Sequence, residues 1–212
     1  MEDNNVEKII TLLNTMASFL IACAGVYVAY KNSKKTIEEA LPTKIKKQCN
    51  IDLEINTRME YVKEFLSADR VQIYDFHNGG HYANCRSALK TTCTYEVIKA
   101  GVKSYQNELQ AVPLSCIPKF MQSLLSREKI ECNDLETIKD TMPATYNLKR
   151  SQNVKSFFDV VLNNKNGEPI GFLAIQFCKE NCINFNSTEK DQIYKLKHYI
   201  EENLEKMVIK NK

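Results

Sequence analysis

His77, His81 and Cys85 stand four and four residues apart in the stretch 76–86 (FHNGGHYANCR). Imidazole and thiolate are good ligands for zinc or iron, and Cys93 or Asp75 would be the candidate fourth ligand. The stretch lacks the compact spacing of a zinc knuckle. The competing reading has His77 bonded to turn backbone, with His81 and Cys85 as loop residues, so these three are candidates and no metal is assigned. His77 beside Asp75 or Glu96 would also make an acid–base pair, because a carboxylate can orient an imidazole. No nucleophile motif, glycine-rich phosphate cradle or paired-carboxylate signature accompanies it. No catalytic residue is therefore assigned, and a non-enzymatic role is expected. The fuller use of this region places His77, Asn78, Gly79, Lys90, Tyr95 and Glu96 at a pocket mouth, holding a polar or anionic ligand. Turn geometry plus an internal ion pair would explain the same residues without a ligand. No cofactor is specified.

The elements that must position these groups follow from periodicity. Val71, Ile73 and Asp75 alternate with Gln72, Tyr74 and Phe76, the period of a strand. Asn78-Gly79-Gly80 reads as the turn that stops it, since these residues accept positive φ. A polar loop follows, then a strand over 88–98 rich in Thr, Tyr and Val, broken by Gly101. Residues 109–114 read as an edge strand, where Pro113 is tolerated. Pro118 opens a short helix to Leu125, 129–132 is a short strand, and 142–154 is polar and partly helical around Leu148. The clearest hairpin joins 156–162 to 170–177 through an Asn/Gly/Pro-rich turn. Both of its arms are nearly continuous apolar runs, as central strands covered on one face by helices should be. Ser187-Thr188-Glu189-Lys190 supplies an N-cap and early acid for a final helix with one apolar face: Ile193, Leu196, Ile200, Leu204, Met207 and Val208. Upstream, Ile51, Ile55, Met59, Val62 and Leu66 recur at three and four, one face of an amphipathic helix.

Residues 9–30 carry no charge. At ~1.5 Å per residue a helix of this length reaches about 33 Å, enough for a hydrocarbon core of ~30 Å. A single transmembrane helix is expected over 9–30, preceded by a tail (1–8) and followed by a charged juxtamembrane connector (31–50). In the connector Pro42 argues against one unbroken helix. A signal peptide is disfavoured by the acidic Glu2, Asp3 and Glu7. A lipobox at Leu20-Ile21-Ala22-Cys23 is disfavoured because the apolar run continues past Cys23. Before the span lies only Lys8; after it come Lys31, Lys34, Lys35, Lys44, Lys46 and Lys47, which places the C-terminal side in the cytoplasm. Ser18, Ala22, Gly25 and Ala29 form a small-residue stripe that suits a homodimer in the bilayer, with the amphipathic helices as a second dimer contact. The remaining residues, 51–212, suffice for one domain with a real core. A net charge of +3 from 29 basic and 26 acidic residues, with no Arg-rich face, argues against a nucleic acid polymer as partner. Eight cysteines without a CxxC pair, several inside apolar runs, read as reduced cytosolic thiols.

Helix, strand, loop, strand, connecting helices, the hairpin containing Ile170-Gly171-Phe172-Leu173-Ala174-Ile175, then Phe185 and a capped closing helix: this order resembles GAF domains. The resemblance covers roughly 51–208. The strand opening at Asp69-Arg70-Val71 is similar to the one that begins such domains. The string Phe76-His77-Asn78-Gly79, with Lys90 and Tyr95-Glu96, is also similar to membrane-anchored proteins of bacteriophages and bacteria that have no assigned activity. The GAF resemblance implies an α+β fold of GAF/PAS type, an antiparallel sheet flanked by helices with a ligand pocket on one side. It implies a sensory or regulatory module for a small molecule, a nucleotide being one class, or else a ligand-free adaptor that docks a protein at the inner membrane. No residue matches the cyclic-nucleotide or bilin motifs, and no cysteine is assigned to a chromophore. No kinase, cyclase or DNA-binding segment is read after the closing helix, so a sensor is expected to act through a protein partner.

Overall fold

The computed structural model describes the backbone of residues 3–179 and 183–207, and their side chains except 3–11, 34–41, 44 and 205–207. Cys182 and Val208 lie outside it, as do the side chains of Ile9, Ile10, Lys34, Lys35, Lys44 and Met207. The chain forms two compact units, 1–50 and 51–212.

Helix α1 spans Asp3–Phe65. Within the first unit, Leu12–Ser33 is long and apolar enough to cross a membrane, and none of it is buried. Helical backbone continues through Pro42, against the break expected there. A proline removes one N–H and crowds one carbonyl, at about 3 kcal/mol, and the helical bonds on both sides outweigh that.

In the second unit, strands β1 (Arg70–His81), β2 (Ser87–Ile98), β3 (Val112–Pro113), β4 (Lys129–Cys132), β5 (Ser156–Asn163) and β6 (Pro169–Phe177) form one sheet. Their order is β3-β2-β1-β6-β5-β4, with every neighbouring pair antiparallel. Helices α2 (Pro118–Arg127) and α3 (Pro143–Ser151) interrupt the strands, and α4 (Ser187–Met207) follows them. The alternation of side chains along each strand splits the core in two. On one face Val71, Ile73, Leu173, Ile175, Phe158, Val160 and Leu162 pack against Ile55, Met59 and Val62 of α1 and Ile193, Leu196 and Ile200 of α4. On the other, Tyr74, Cys93, Phe157, Val161, Phe172 and Ala174 pack against Phe120, Met121 and Leu124 of α2, Tyr146 of α3, and Leu109 and Ile117. The hairpin strands are thus covered on both faces, not one, which is why their sequences read as continuous apolar runs.

Two local readings are corrected. Asn78-Gly79-Gly80 does not end β1. The strand runs on to His81, and the residues 78–81 face only 87–89 of β2, so the extra residue forms a bulge where Gly80 takes φ +109°. The chain reverses later, at Tyr82–Cys85, where the Cys85 N–H donates to the Tyr82 carbonyl and Cys85 holds φ +63°. The cap of α4 is Asn186 rather than Ser187. Its Oδ1 accepts from the Glu189 N–H at 2.9 Å while Glu189 Oε2 accepts from the Asn186 N–H at 2.7 Å, a reciprocal capping box.

Candidate functional site

The six residues proposed for a pocket mouth are not brought together. His77, Asn78, Gly79 and Lys90 sit on the distal part of the β1–β2 ribbon, beyond Asp75, where β1 no longer pairs with β6. There His77 Nε2 meets Thr92 Oγ1 at 2.8 Å, and Asn78 Oδ1 accepts from the Gly80 N–H at 3.1 Å. The aliphatic stem of Lys90 lies across Gly79, within 2.3–2.8 Å of where a Cβ would stand. Tyr95 and Glu96, being adjacent on a strand, face opposite sides of the sheet. The Tyr95 hydroxyl donates to Asp52 of α1, and burial pushes its pKa up. His77, His81 and Cys85 do not converge either: among the described residues, no three His, Cys, Asp or Glu side chains gather where a metal ion could be held. The seven described cysteines, Cys23, Cys49, Cys85, Cys93, Cys116, Cys132 and Cys178, are unpaired. Burial raises the pKa of Cys93, Cys132 and Cys178.

Glu96 is the hub of a buried polar ring. Arg70 Nε lies 3.3 Å from Glu96 Oε1. Gln72 Nε2 donates to the same oxygen at 2.8 Å, Gln176 Nε2 donates to Gln72 Oε1 at 2.9 Å, and Arg70 Nη1 donates to Gln176 Oε1 at 2.8 Å. The ring closes with every amide direction defined, and Arg70, Gln72 and Gln176 are at most 1% exposed. Glu96 also accepts from the Ser104 hydroxyl and from the N–H groups of Tyr105 and Gln106, which fastens that loop over the sheet. The Tyr74 hydroxyl donates to Gln72 Oε1 at 3.0 Å, and burial holds its pKa well above the ordinary phenol value.

Tyr74 and Gln176 carry this ring to the wall of a cavity of about 30 Å³ between the sheet and α2–α3. Thr91 from β2 and Phe172 from β6 complete the sheet side, and Leu109, Val112, Ile117 and Phe120 add apolar walls. The Tyr74 and Phe172 rings stack at 4.4 Å, with Phe120 edge-on to Phe172 at 5.9 Å. Helix α3, opened by Pro143 at its first position, supplies Thr145, Leu148 and Lys149, and its C-cap supplies Gln152. This i, i+3, i+4, i+7 stripe is one helix face. The sequence reading missed it because three of its four members are polar.

Lys149 is buried, and its Nζ donates to Asp159 Oδ2 at 2.7 Å and stands 4.1 Å from the centre of the Phe157 ring. Burial raises the pKa of Asp159, an effect its Lys149 partner opposes. Two polar atoms of the lining have no hydrogen-bond partner: Thr91 Oγ1 and Gln152 Oε1. Both side chains are at least 97% buried. A second concavity of about 460 Å³, lined by Asp134, Glu136, Arg150, Asn153 and Lys155 among others, is open and polar. Its Glu136 and Arg150 are both tied to the Tyr146 hydroxyl.

A six-stranded antiparallel sheet in this order, flanked by a terminal helix pair on one face and crossover helices with a cavity on the other, is the GAF fold. Solved GAF structures superimpose on it. The cyanobacteriochrome receptor PixJ matches with TM-score 0.58 at 18% identity, over 76% of this chain and 98% of its own. The phycocyanobilin-bound GAF domain of a cyanobacterial phytochrome matches with TM-score 0.55 at 18% identity, over 79% and 93%. The GAF domain region of a protein from Geobacter sulfurreducens PCA matches with TM-score 0.53 at 12% identity, over 76% and 97%. No protein-family model matches the chain, and no curated protein matches it.

Proposed function

We propose that this protein is a membrane-anchored sensory module whose GAF-fold domain binds a small molecule in the cavity between the sheet and α2–α3. The observation that carries the reading is the pair of unpartnered, buried polar atoms, Thr91 Oγ1 and Gln152 Oε1, in the lining of one apolar cavity. Leaving a buried polar group unpaired costs about 1–3 kcal/mol, and an occupant that bonds to it recovers that loss. The walls come from four strands and two helices, so occupancy is felt by the sheet and by α3 together. The helix Leu12–Ser33 anchors the module in the cytoplasmic membrane, and the lysines that follow it hold the domain in the cytoplasm. The module then signals through a protein partner.

The competing adaptor reading, a domain that docks a protein and binds no ligand, is favoured by the cavity volume, which suits little more than one water. A thermal-shift screen of the full chain separates the two, with a fractionated small-molecule extract of its own cytoplasm as the ligand source. A ligand at ~100 times its Kd adds about 2.7 kcal/mol of stability. The sensor reading expects a fraction that stabilises the native chain and leaves a cavity-filled Leu148→Trp variant unmoved. An extract that moves neither chain overturns it and leaves the adaptor. Protease added to intact cells should spare residues 51–212, and their digestion would overturn the topology.

A further inference from the structure

We infer that the occupant of this cavity is a small uncharged molecule with an apolar body and an N–H or O–H donor, not a nucleotide, carboxylate or other anion. The inference rests on reading the cavity as the ligand site and assigns the chemistry of what enters it. Lys149 is the one cation in the lining, and it is already engaged, its Nζ held by Asp159 Oδ2 and set against the face of Phe157. An anion that drew Lys149 away would strand Asp159, which is fully buried and whose Oδ1 has no partner to fall back on. Removing one partner of a buried ion pair is far more costly than never having made the pair. The nearby buried cation, Arg70, is likewise held by Glu96, Gln176 and the Lys103 carbonyl. Among the described residues of the cavity and the ring, no positive charge is left over to neutralise a phosphate or a carboxylate.

The polar valence that does remain is of another kind. Gln152 Oε1 is a carbonyl oxygen and can only accept, so its partner must be a donor. Thr91 Oγ1 can donate or accept. Tyr74 and Gln176 are bonded to Gln72 in the ring, and apart from Thr145 the rest of the wall is Leu109, Val112, Ile117, Phe120, Leu148 and Phe172, surface that favours an apolar ring over a hydrated head group. A cavity of about 30 Å³ admits such a ring only by displacing a wall residue, and Leu148 on α3 and Val112 on β3 are half-buried wall residues placed to give way.

The test uses the full chain in detergent micelles with Leu148→Ala, which enlarges the cavity. Val112→Ala opens the same cavity from β3 and serves if the first variant is too unstable. Calorimetric titration compares pyrrole, its isostere thiophene in which sulfur replaces the N–H, pyrrole-2-carboxylate and adenosine monophosphate. Partition into micelles is common to all variants and cancels between them. Pyrrole is expected to bind about fivefold more tightly than thiophene, the worth of one hydrogen bond. Gln152→Leu should abolish that preference, and the two anions should not compete at millimolar concentration. Pyrrole and thiophene binding equally before and after Gln152→Leu would overturn the donor requirement. An anion binding as tightly as pyrrole would overturn the uncharged class while leaving the cavity as ligand site. No binding by any of the four in either enlarged variant would overturn the ligand-site reading itself, and this inference with it.

Discussion

Replacing Glu96 by alanine takes the hub out of the buried ring. Arg70, 1% exposed, would lose its counter-charge, and Gln72 Nε2 would lose its acceptor. Breaking a buried pair from one side costs about 3–5 kcal/mol, a large share of the ~5–15 kcal/mol by which a domain is stable. The N–H groups of Tyr105 and Gln106 add little, since their loop is reached by water once released. Glu96→Gln keeps the shape and one acceptor and removes the charge, so its loss is smaller, about 1.5–3 kcal/mol. Arg70→Met with Glu96→Leu removes both charges and is expected to recover most of the deficit of Glu96→Ala, because neither ion is then stranded. The assay is urea unfolding of the full chain, followed by the near-ultraviolet circular dichroism of its tyrosines, of which Tyr74 and Tyr146 are buried in the sheet domain. With an m-value of about 2 kcal/mol per M, Glu96→Ala should lower the midpoint by roughly 1.5–2.5 M. A midpoint within about 0.5 M of the parent would refute the reasoning, since it would mean the ring is hydrated and Arg70 is not dependent on its partner.

Three further outcomes are expected. Gly171→Ala should destabilise by about 3 kcal/mol or more, because its Cβ would stand 2.0 Å from the Tyr74 carbonyl oxygen and force β1 from β6; Gly79→Ala, which meets only the flexible stem of Lys90, should lose under about 1 kcal/mol in the same urea titration. Burial raises the folded pKa of Asp75, with its Thr94 bond and His77 opposing, so its contribution is fully present below the unfolded value of 3.8 and is lost as pH rises through the raised folded value. Unfolding midpoints from pH 7 down to pH 4 should therefore rise relative to those of Asp75→Asn, by up to about 1.4 kcal/mol per pH unit, and parallel curves would contradict this. Asn186→Ala removes the capping-box acceptor of α4 and should cost about 1 kcal/mol, with faster amide exchange at Glu189 than in the parent.

The parts of the fold legible in the sequence are those where one physical demand dominates a stretch. The arms of β5 and β6 are apolar throughout because each is buried on both sides, and the Asn/Gly-rich turn between them admits little else. The helix face Ile51, Ile55, Met59, Val62 and Leu66 packs on the sheet at the spacing from which it was read. The Gly79-Gly80 pair misleads because positive φ serves a bulge as well as a turn, and only pairing with β2 decides between them. The cavity was illegible for a related reason. Its α3 stripe, Thr145, Leu148, Lys149 and Gln152, has helical spacing, but Lys149 is burial-competent only because Asp159, ten residues on, faces it across the core. Glu96, read as a pocket-mouth group or the acid partner of His77, is instead bonded into the buried ring. Its partners, Arg70, Gln72 and Gln176, come from two neighbouring strands that no local pattern joins to it.

The central claim is that a small molecule occupies the cavity lined by Thr91, Lys149, Gln152 and Phe172. Native mass spectrometry of the full chain, purified rapidly from its own cells and released gently from detergent, tests it most directly. The expected spectrum has a peak heavier than the 24.4 kDa chain, with the excess mass leaving as a neutral molecule on collisional activation and absent from Leu148→Trp. Bare chain alone in the native protein, or the same adduct in both proteins, would contradict the claim.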